Sequence, residues 1–123
     1  MSGVAPLLSS RGLRVGIAGR VFCRELSLAV HAGECLAILG RNGAGKSTLL
    51  SVLAGLREPE AGKVLLAARS YADLGARASA LLRGWLPQER SEAFSSTVLE
   101  TALVGRHPHL ARWDWESETD ARI

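Results

Sequence analysis

Cysteine is scarce in this sequence, with only Cys23 and Cys35 among its 123 residues. Two cysteines at this spacing match no metal-binding pattern and cannot build a disulfide framework, so we expect both to be small apolar core residues. Long apolar runs are also missing, because none approaches the roughly 18 to 20 residues that a membrane-spanning helix requires. Residues 1–20 hold no basic segment ahead of a long apolar block, which argues against a secretory signal. These absences predict a soluble cytosolic protein.

Aromatic residues and lysines are few as well. Aromatics make up 5% of the sequence, and Lys46 and Lys63 are its only lysines. The 15 basic residues still outnumber the 12 acidic ones, and the isoelectric point is near 9.4. The arginines are scattered singly, however, without the interleaved aromatic residues of a nucleic-acid surface. The pattern therefore does not favour nucleic-acid binding, and the length suits one domain or a piece of a larger one.

Apolar periodicity in the first half predicts a strand pair, a buried strand and a helix. Residues 13–17 and 25–30 alternate partly and are separated by a turn, as in two paired strands. Residues 35–39 are wholly apolar, which is typical of a strand covered on both faces. The pattern becomes helical at Lys46, and Gly55 is the expected glycine just beyond the end of that helix.

The second half continues with shorter elements. Strands are predicted at 63–66 and 85–86, with a helix between them at 70–83. Thr97 and Glu100 form a capping-box pattern, which predicts a helix to about Val104, a stop at Gly105 and an irregular connection over 106–110. A further capping pattern occupies residues 117–120. Because one turn of helix is unstable alone, we expect the sequence to be a fragment whose natural boundary is not Ile123.

Residues 40–47, GRNGAGKS, match the pattern G-x-x-x-x-G-K-[ST] at every fixed position. Glycines allow the backbone N–H groups to approach phosphate oxygens closely, and the following helix presents its positive dipole end to the same anion. Lys46 would supply charge to the β- and γ-phosphates, and the Ser47 hydroxyl would complete part of a Mg²⁺ shell. The alternative is a glycine-rich turn that binds nothing. The predicted strand before the loop and the helix after it favour nucleotide binding, although the motif does not specify a reaction.

The segment 40–50, GRNGAGKSTLL, resembles the Walker A segment of ABC transporter ATPases. Leu26-Ser27-Leu28 and Ala32-Gly33-Glu34 resemble the lead-in common to that family, and residues 85–88, WLPQ, resemble its Q-loop. The resemblance implies that Gln88 touches Mg²⁺ or the attacking water and links the nucleotide site to a membrane subunit. A solvated loop residue is the alternative for Gln88.

Residues 97–100 and 103–110 resemble the ATPases of importers for iron-siderophores, haem and cobalamin, in which a similar segment opens the helical subdomain. A helix and turn shared by several ABC classes is the plainer alternative. His107 and His109 have no third or fourth ligand nearby, so we expect loop or interface histidines rather than a metal pair.

The resemblance implies an α/β P-loop NTPase fold with an ABC-type core, which combines a β-strand subdomain and a mostly parallel sheet with helices. The implied domain covers residues 11–123, with a nucleotide-binding core at 11–88, the beginning of the helical subdomain at 89–123 and an N-terminal tail at 1–10. It further implies the cofactors ATP and Mg²⁺, a second ATPase subunit in a homodimer sandwich, permease subunits with a substrate-binding protein, and a peripheral location on the cytoplasmic face of the inner membrane.

The implied site has catalytic, metal-binding and nucleotide-binding members. Lys46 and Gln88 are the catalytic candidates, and Ser47 and Gln88 are the candidates for metal. The nucleotide is expected on the glycine-rich loop, defined here as residues 40–48: Gly40, Arg41, Asn42, Gly43, Ala44, Gly45, Lys46, Ser47 and Thr48.

Two features depart from the family pattern. Family members usually stack an aromatic residue on adenine, but that place falls near Ile17, and Phe22 is expected at an inward strand position. The 123 residues also contain no signature motif, no Asp-Glu Walker B strand and no switch histidine. We therefore expect the parent protein to hydrolyse ATP and this chain alone to bind nucleotide with little or no turnover. The alternatives are a truncated nucleotide-binding module, the ATPase of another ABC transporter class, a small-molecule kinase, or a soluble ABC protein.

Overall fold

The computed structural model of the protein describes residues 4–88 and 95–110. The chain divides into two compact units, Met1–Ser79 and Ala80–Ile123, and each is described by itself. None of the helices within the described ranges combines the length and the apolar character that a membrane crossing demands. The predicted helix start at 117–120 lies outside the described residues.

The first unit begins with an antiparallel hairpin of β1 (Leu8–Ile17) and β2 (Arg20–Val30). Ala18 and Gly19 connect the strands with φ values of 48° and 81°. Two successive positive φ values are what a type I′ turn requires, and its twist matches that of the flanking strands. The predicted strand pair is confirmed, and both strands start earlier than the apolar alternation indicated.

Two further strands extend this sheet. β3 (Ala61–Leu66) pairs antiparallel with β1, and the short β4 (Arg69–Ser70) pairs antiparallel with β3, which gives the order β2-β1-β3-β4. The predicted strand at 63–66 is therefore confirmed. The sheet formed by the described residues is antiparallel throughout, so it contains the β-strand part of the expected fold and not its mostly parallel part.

Helix α1 (Lys46–Leu53) packs its apolar side on this sheet. Val52 and Leu53 are buried with Leu13 and Val15 of β1 and Val64 of β3, and these five residues form the core cluster. The helix ends as the sequence predicts, because Gly55 has a φ of 69° and its N–H donates to the Val52 carbonyl at 2.9 Å. The N–H of Leu56 donates to the Ser51 carbonyl at 2.9 Å, which completes a Schellman motif.

Helix α2 (Tyr71–Leu82) confirms the helix predicted at 70–83, with a break at Gly75, whose φ is 74° and ψ 169°. In the second unit, α3 (Val98–Leu103) begins with the predicted capping box of Thr97 and Glu100. The α-helix ends at Leu103, within one residue of its predicted end at about Val104, but the prediction of an irregular connection over 106–110 is wrong. The chain instead continues as a 3₁₀ helix over Val104–His109, a form in which Pro108 is accommodated within a short run.

Two predicted strands are absent from the described residues. Residues 35–39 pair with no other strand, and Leu39 is 90% exposed. Residues 85–86 are likewise unpaired, and Leu86 is 82% exposed. A strand exists only when a neighbour accepts and donates its backbone hydrogen bonds, and no such neighbour lies beside either segment within 4–88 and 95–110.

The two cysteines differ in burial because one lies on a paired strand and the other in an unpaired segment. Cys23 on β2 is half-buried, packs against the core cluster and donates its Sγ–H to the Leu13 carbonyl at 3.6 Å. Cys35 lies in the unpaired segment and is exposed, so the prediction of a core position is confirmed for Cys23 and wrong for Cys35. The predicted α/β class is confirmed, and the proposed subdivision at residue 88 stays a prediction.

Candidate functional site

The glycine-rich loop joins the unpaired segment 35–39 to the first turn of α1. Gly43 and Gly45 have φ values of 79° and 88°, in the region that disfavours any residue with a Cβ. The Ala44 N–H donates to the Arg41 carbonyl at 3.1 Å and closes a turn within the loop. Of the two glycines that the motif fixes, Gly40 and Gly45, only Gly45 takes a left-handed conformation, and Gly43 takes one at a position that the motif leaves free.

Lys46 lies on the first turn of α1 and its side chain extends back to the start of the loop. Its Nζ donates to the Gly40 carbonyl at 2.7 Å and to the Arg41 carbonyl at 2.8 Å. An ammonium group has three donors, so two are occupied by the loop and one is left. The loop therefore curls around the cation that its motif predicts.

The N-terminus of α1 is arranged to receive an anion. Its N-cap residue Gly45 has no side chain to accept from the first-turn amides, and the first turn contains no acidic residue. The amides of the first turn have no partner within the helix and carry the positive end of the helix dipole. The left-handed Gly45 followed by the helical Lys46 is the backbone alternation that makes successive N–H groups converge on one point.

The hydroxyl candidates of the loop are next to this point. Ser47 is exposed on the first turn of α1, and Thr48, which follows it, is half-buried. The Thr48 carbonyl accepts a hydrogen bond from Ser51 Oγ at 2.7 Å. Ser47 is thus open to solvent on the first turn of the helix, while Thr48 is partly covered.

Gln88 belongs to the second unit, whereas Lys46 and Ser47 belong to the first. It is exposed and lies at the end of the irregular stretch 83–88. Arg41, Asn42, Gly43 and Ala44 are exposed along the loop, while Gly45 and Lys46 are half-buried at its base. The phosphate part of the predicted site is thus contiguous, and the role of Gln88 stays a prediction.

The hairpin contributes a contact that the sequence pattern did not reveal. Phe22 on β2 is half-buried, as its inward strand position predicts, and its ring lies against Gly45 at the base of the loop. Ile17, which occupies the place of the expected adenine-stacking residue, is 40% exposed at the end of β1. Phe22 and Gly45 are far apart in sequence, so no local pattern could have joined them.

Within the described residues, two carboxylates have lowered pKa values: Glu34, in a backbone turn, and Glu100, in the capping box of α3. The pKa of Glu34 is lowered because its carboxylate accepts the His31 N–H at 2.7 Å and lies 3.2 Å from His31 Nδ1. The pKa of Glu100 is lowered because its carboxylate accepts the Thr97 N–H at 2.7 Å and the Thr97 hydroxyl at 2.8 Å. The hydrogen bonds of Glu34 stabilise a turn and those of Glu100 cap α3, and neither carboxylate lies on the glycine-rich loop.

Protein ligands for a metal are sparse across the two described ranges, which contain no group of three or more histidine, cysteine, aspartate or glutamate residues able to hold an ion. His107 and His109 are exposed on the 3₁₀ helix. Mg²⁺ differs from other ions in keeping several waters and taking most of its remaining ligands from the phosphates of a substrate. The single hydroxyl of Ser47 beside an anion-receptive helix end fits that requirement.

Comparisons with known proteins agree with this arrangement. Residues 23–123 match the ABC transporter family. The chain is 45% identical over 117 residues to the hemin import ATP-binding protein of Gloeobacter violaceus, covering 95% of this chain and 42% of that protein. It is 36% identical over 112 residues to the cobalamin import ATP-binding protein of Halobacterium salinarum, covering 91% of this chain and 28% of that protein. The chain thus spans less than half the length of these relatives.

Solved structures give the same result for the fold. A structure described as an inward-facing conformation of a metal-chelate type ABC transporter superposes with a TM-score of 0.74 and 28% identity, covering 97% of this chain and 42% of that one. The ATP-binding subunit of another ABC transporter superposes with a TM-score of 0.66 and 26% identity, over 86% of this chain and 44% of that one. The chain therefore belongs to the ABC transporter family, whose model matches residues 23–123. The loop around Lys46 and the two superpositions agree with this assignment.

Proposed function

We propose that the glycine-rich loop binds the phosphates of Mg-ATP and that the chain provides the ATP-binding part of an ABC importer. The observation that carries this proposal is the pairing of Lys46 Nζ with the Gly40 and Arg41 carbonyls at 2.7 and 2.8 Å. Those two bonds hold the ammonium at the mouth of the loop, which leads into a helix start that no side chain caps. A polyphosphate would meet one full positive charge and several N–H donors there.

The nine residues of the loop take separate parts in this proposal. The backbone N–H groups of Gly43 and of residues 45–48 surround the phosphates, and Lys46 supplies charge to the oxygens of the terminal groups. Ser47 holds Mg²⁺ by its hydroxyl, and bound Mg²⁺ would neutralise charge on the phosphates. Gly40, Arg41 and Asn42 form the opening turn that carries the acceptors for Lys46. Gln88 is proposed as the second metal contact, from its match to the Q-loop.

The transported substrate is proposed from the relatives. The hemin import protein is 45% identical and the cobalamin import protein 36% identical over more than nine-tenths of this chain. Both names point to a metal chelate, which agrees with the metal-chelate type transporter among the solved structures. We propose permease subunits and a second ATPase subunit as partners, with a substrate-binding protein outside and the ATPase on the cytoplasmic face of the membrane.

The binding claim is tested by titrating the chain with Mg-ATP and comparing Lys46→Ala with Lys63→Ala. These are the only two lysines, and Lys63 is exposed on β3 away from the loop, so both variants lose one positive charge. A charge-assisted hydrogen bond contributes about 1.5 to 3 kcal/mol, so Lys46→Ala should weaken binding roughly 10- to 100-fold while Lys63→Ala leaves it unchanged. Equal affinities for the two variants would contradict the proposal.

Turnover is measured on the same preparations by release of inorganic phosphate. We propose that this chain binds without appreciable hydrolysis, because its sequence contains no Walker B carboxylates to polarise water and no signature motif. Rapid phosphate release that Lys46→Ala abolishes would show that these 123 residues are sufficient for catalysis. Slow release from all three proteins supports a binding role for this part of the protein.

A further inference from the structure

The hairpin side chain closest to the glycine-rich loop is Phe22. A Cβ built on Gly45 would lie 2.5 Å from Phe22 Cδ1 and 2.6 Å from Phe22 Cβ, well inside van der Waals contact. Since Phe22 Cβ is near the strand backbone, rotation of the ring cannot relieve that approach. The side chain is therefore seated directly on the backbone of the last glycine before α1.

Gly45 is the residue whose conformation decides where the loop amides point. It has a φ of 88° and a ψ of 14°, and the helical Lys46 follows it. Free glycine populates positive and negative φ about equally, so the motif alone does not fix this state. A rotation of Gly45 away from it would turn the amides on its two sides apart and remove their convergence on one anion.

Phe22 is itself held from two sides. Its strand neighbours pair across the hairpin, Val21 with Gly16 and Cys23 with Val15, and Val15 is 1% exposed in the core. The guanidinium carbon of Arg20 lies 5.4 Å from the centroid of the ring, at a cation–π distance. Strand pairing on both sides of Phe22 and the Arg20 contact restrict the position of the ring, which limits the space available to Gly45.

We propose that Phe22 is a positioning residue for the phosphates: by packing on Gly45 it keeps the glycine-rich loop in the conformation that binds polyphosphate. This inference rests on the proposed function of the loop. Its effect reaches the ligand through the Gly45 backbone and is independent of the nucleotide base. Removal of the ring should lower the fraction of molecules with a competent loop, and the apparent affinity falls by that fraction.

The test measures dissociation constants for Mg-ATP and for magnesium tripolyphosphate, which has the phosphates without base or ribose. Phe22→Ala should weaken both ligands about tenfold and by the same factor, and Phe22→Leu should weaken both about threefold. Leu26→Ala is the matched control, because Leu26 is another partly buried residue of β2 that packs against the core. It should lower the melting temperature without changing either dissociation constant of the folded protein.

Two results of these titrations would overturn the proposed role of Phe22. Loss of ATP affinity with tripolyphosphate binding unchanged would place Phe22 against the base and overturn the proposal. Equal effects of Phe22→Ala and Leu26→Ala would reduce Phe22 to a stability residue and would also overturn it. If Phe22→Ala does not fold, the Phe22→Leu comparison decides. If Lys46→Ala leaves both ligands unaffected, the proposed function fails, whereas a Lys46 effect without a Phe22 effect rejects this inference alone.

Discussion

The two ends of α1 have the same packing arrangement but differ in how their backbone groups are hydrogen-bonded. Each end has a glycine with positive φ against an aromatic ring, Gly45 against Phe22 at the start and Gly55 against Tyr71 at the end. At the C-terminal end the carbonyls of Ser51 and Val52 accept the two Schellman bonds, and the Leu53 carbonyl accepts the Tyr71 hydroxyl at 2.8 Å. At the N-terminal end no side chain caps the amides.

The C-terminus of α1 is built for stability, and we propose that its N-terminus, at the other end of the same eight residues, is built for binding. A helix whose ends serve only stability has both sets of backbone groups satisfied, as the C-terminus of α1 does. The N-terminus of α3 is the matching case for amides, since Thr97 Oγ1 accepts the Glu100 N–H at 3.2 Å and Glu100 accepts the Thr97 N–H. The N-terminus of α1 therefore differs from both of these helix ends, because its first-turn N–H groups have no side-chain cap and are available to a ligand.

One methyl group added at each end of α1 tests whether the two glycines have different roles. Gly45→Ala and Gly55→Ala both force a Cβ onto an aromatic ring and a left-handed φ onto alanine. Each should lower the free energy of unfolding by about 2 to 4 kcal/mol. Thermal denaturation measures that loss, and titration of the folded protein with Mg-ATP should show affinity abolished only for Gly45→Ala. A similar loss of affinity in Gly55→Ala would contradict the division of roles.

A smaller change addresses the closed end alone. Tyr71→Phe keeps the ring on Gly55 and removes the hydroxyl that donates to Leu53. One neutral hydrogen bond contributes about 1 kcal/mol, so we expect the unfolding free energy to fall by that amount while the affinity for Mg-ATP stays the same. Chemical denaturation with an unchanged slope would measure it. An unchanged midpoint would mean that water replaces the hydroxyl at no cost.

The smallest expected effect is a difference in pH dependence between the N-termini of α3 and α1. The pKa of Glu100 is lowered in the folded chain because Thr97 donates to its carboxylate. A lowered pKa means that the capping contribution is complete above the ordinary value of 4.5 and is lost as the pH falls through the lowered value. Amide chemical shifts of Thr97 and Glu100 should follow this titration below pH 4.5. The first turn of α1 contains no acid and should not move with them.

The correct predictions came from signals that are local in the sequence. The hairpin, the loop around Lys46, the glycine at position 55 and the capping box each depend on residues a few positions apart. Their geometry is fixed by backbone conformation and short-range hydrogen bonds, which the residue types largely determine.

The incorrect or missed features depend on distant partners. Residues 35–39 have the composition of a buried strand, but composition cannot supply the neighbouring strands that would accept and donate their hydrogen bonds. The same holds for residues 85–86. The contact of Phe22 with Gly45 is also non-local, because it needs the hairpin to be folded before the ring reaches the loop. The sequence pattern therefore located the loop but not the residue that supports it.

The docking of Lys46 on the carbonyls of its own loop has a kinetic consequence. Lys46 Nζ is already bonded to the Gly40 and Arg41 carbonyls, so the glycine-rich loop is in its binding conformation before an anion arrives. The anion then needs only to displace solvent from the remaining ammonium donor. Capture should then proceed at the rate of productive encounter, with no slow rearrangement of the backbone beforehand. Differences in affinity among variants that keep both this docking and the Gly45 conformation should arise from the dissociation rate of the ligand.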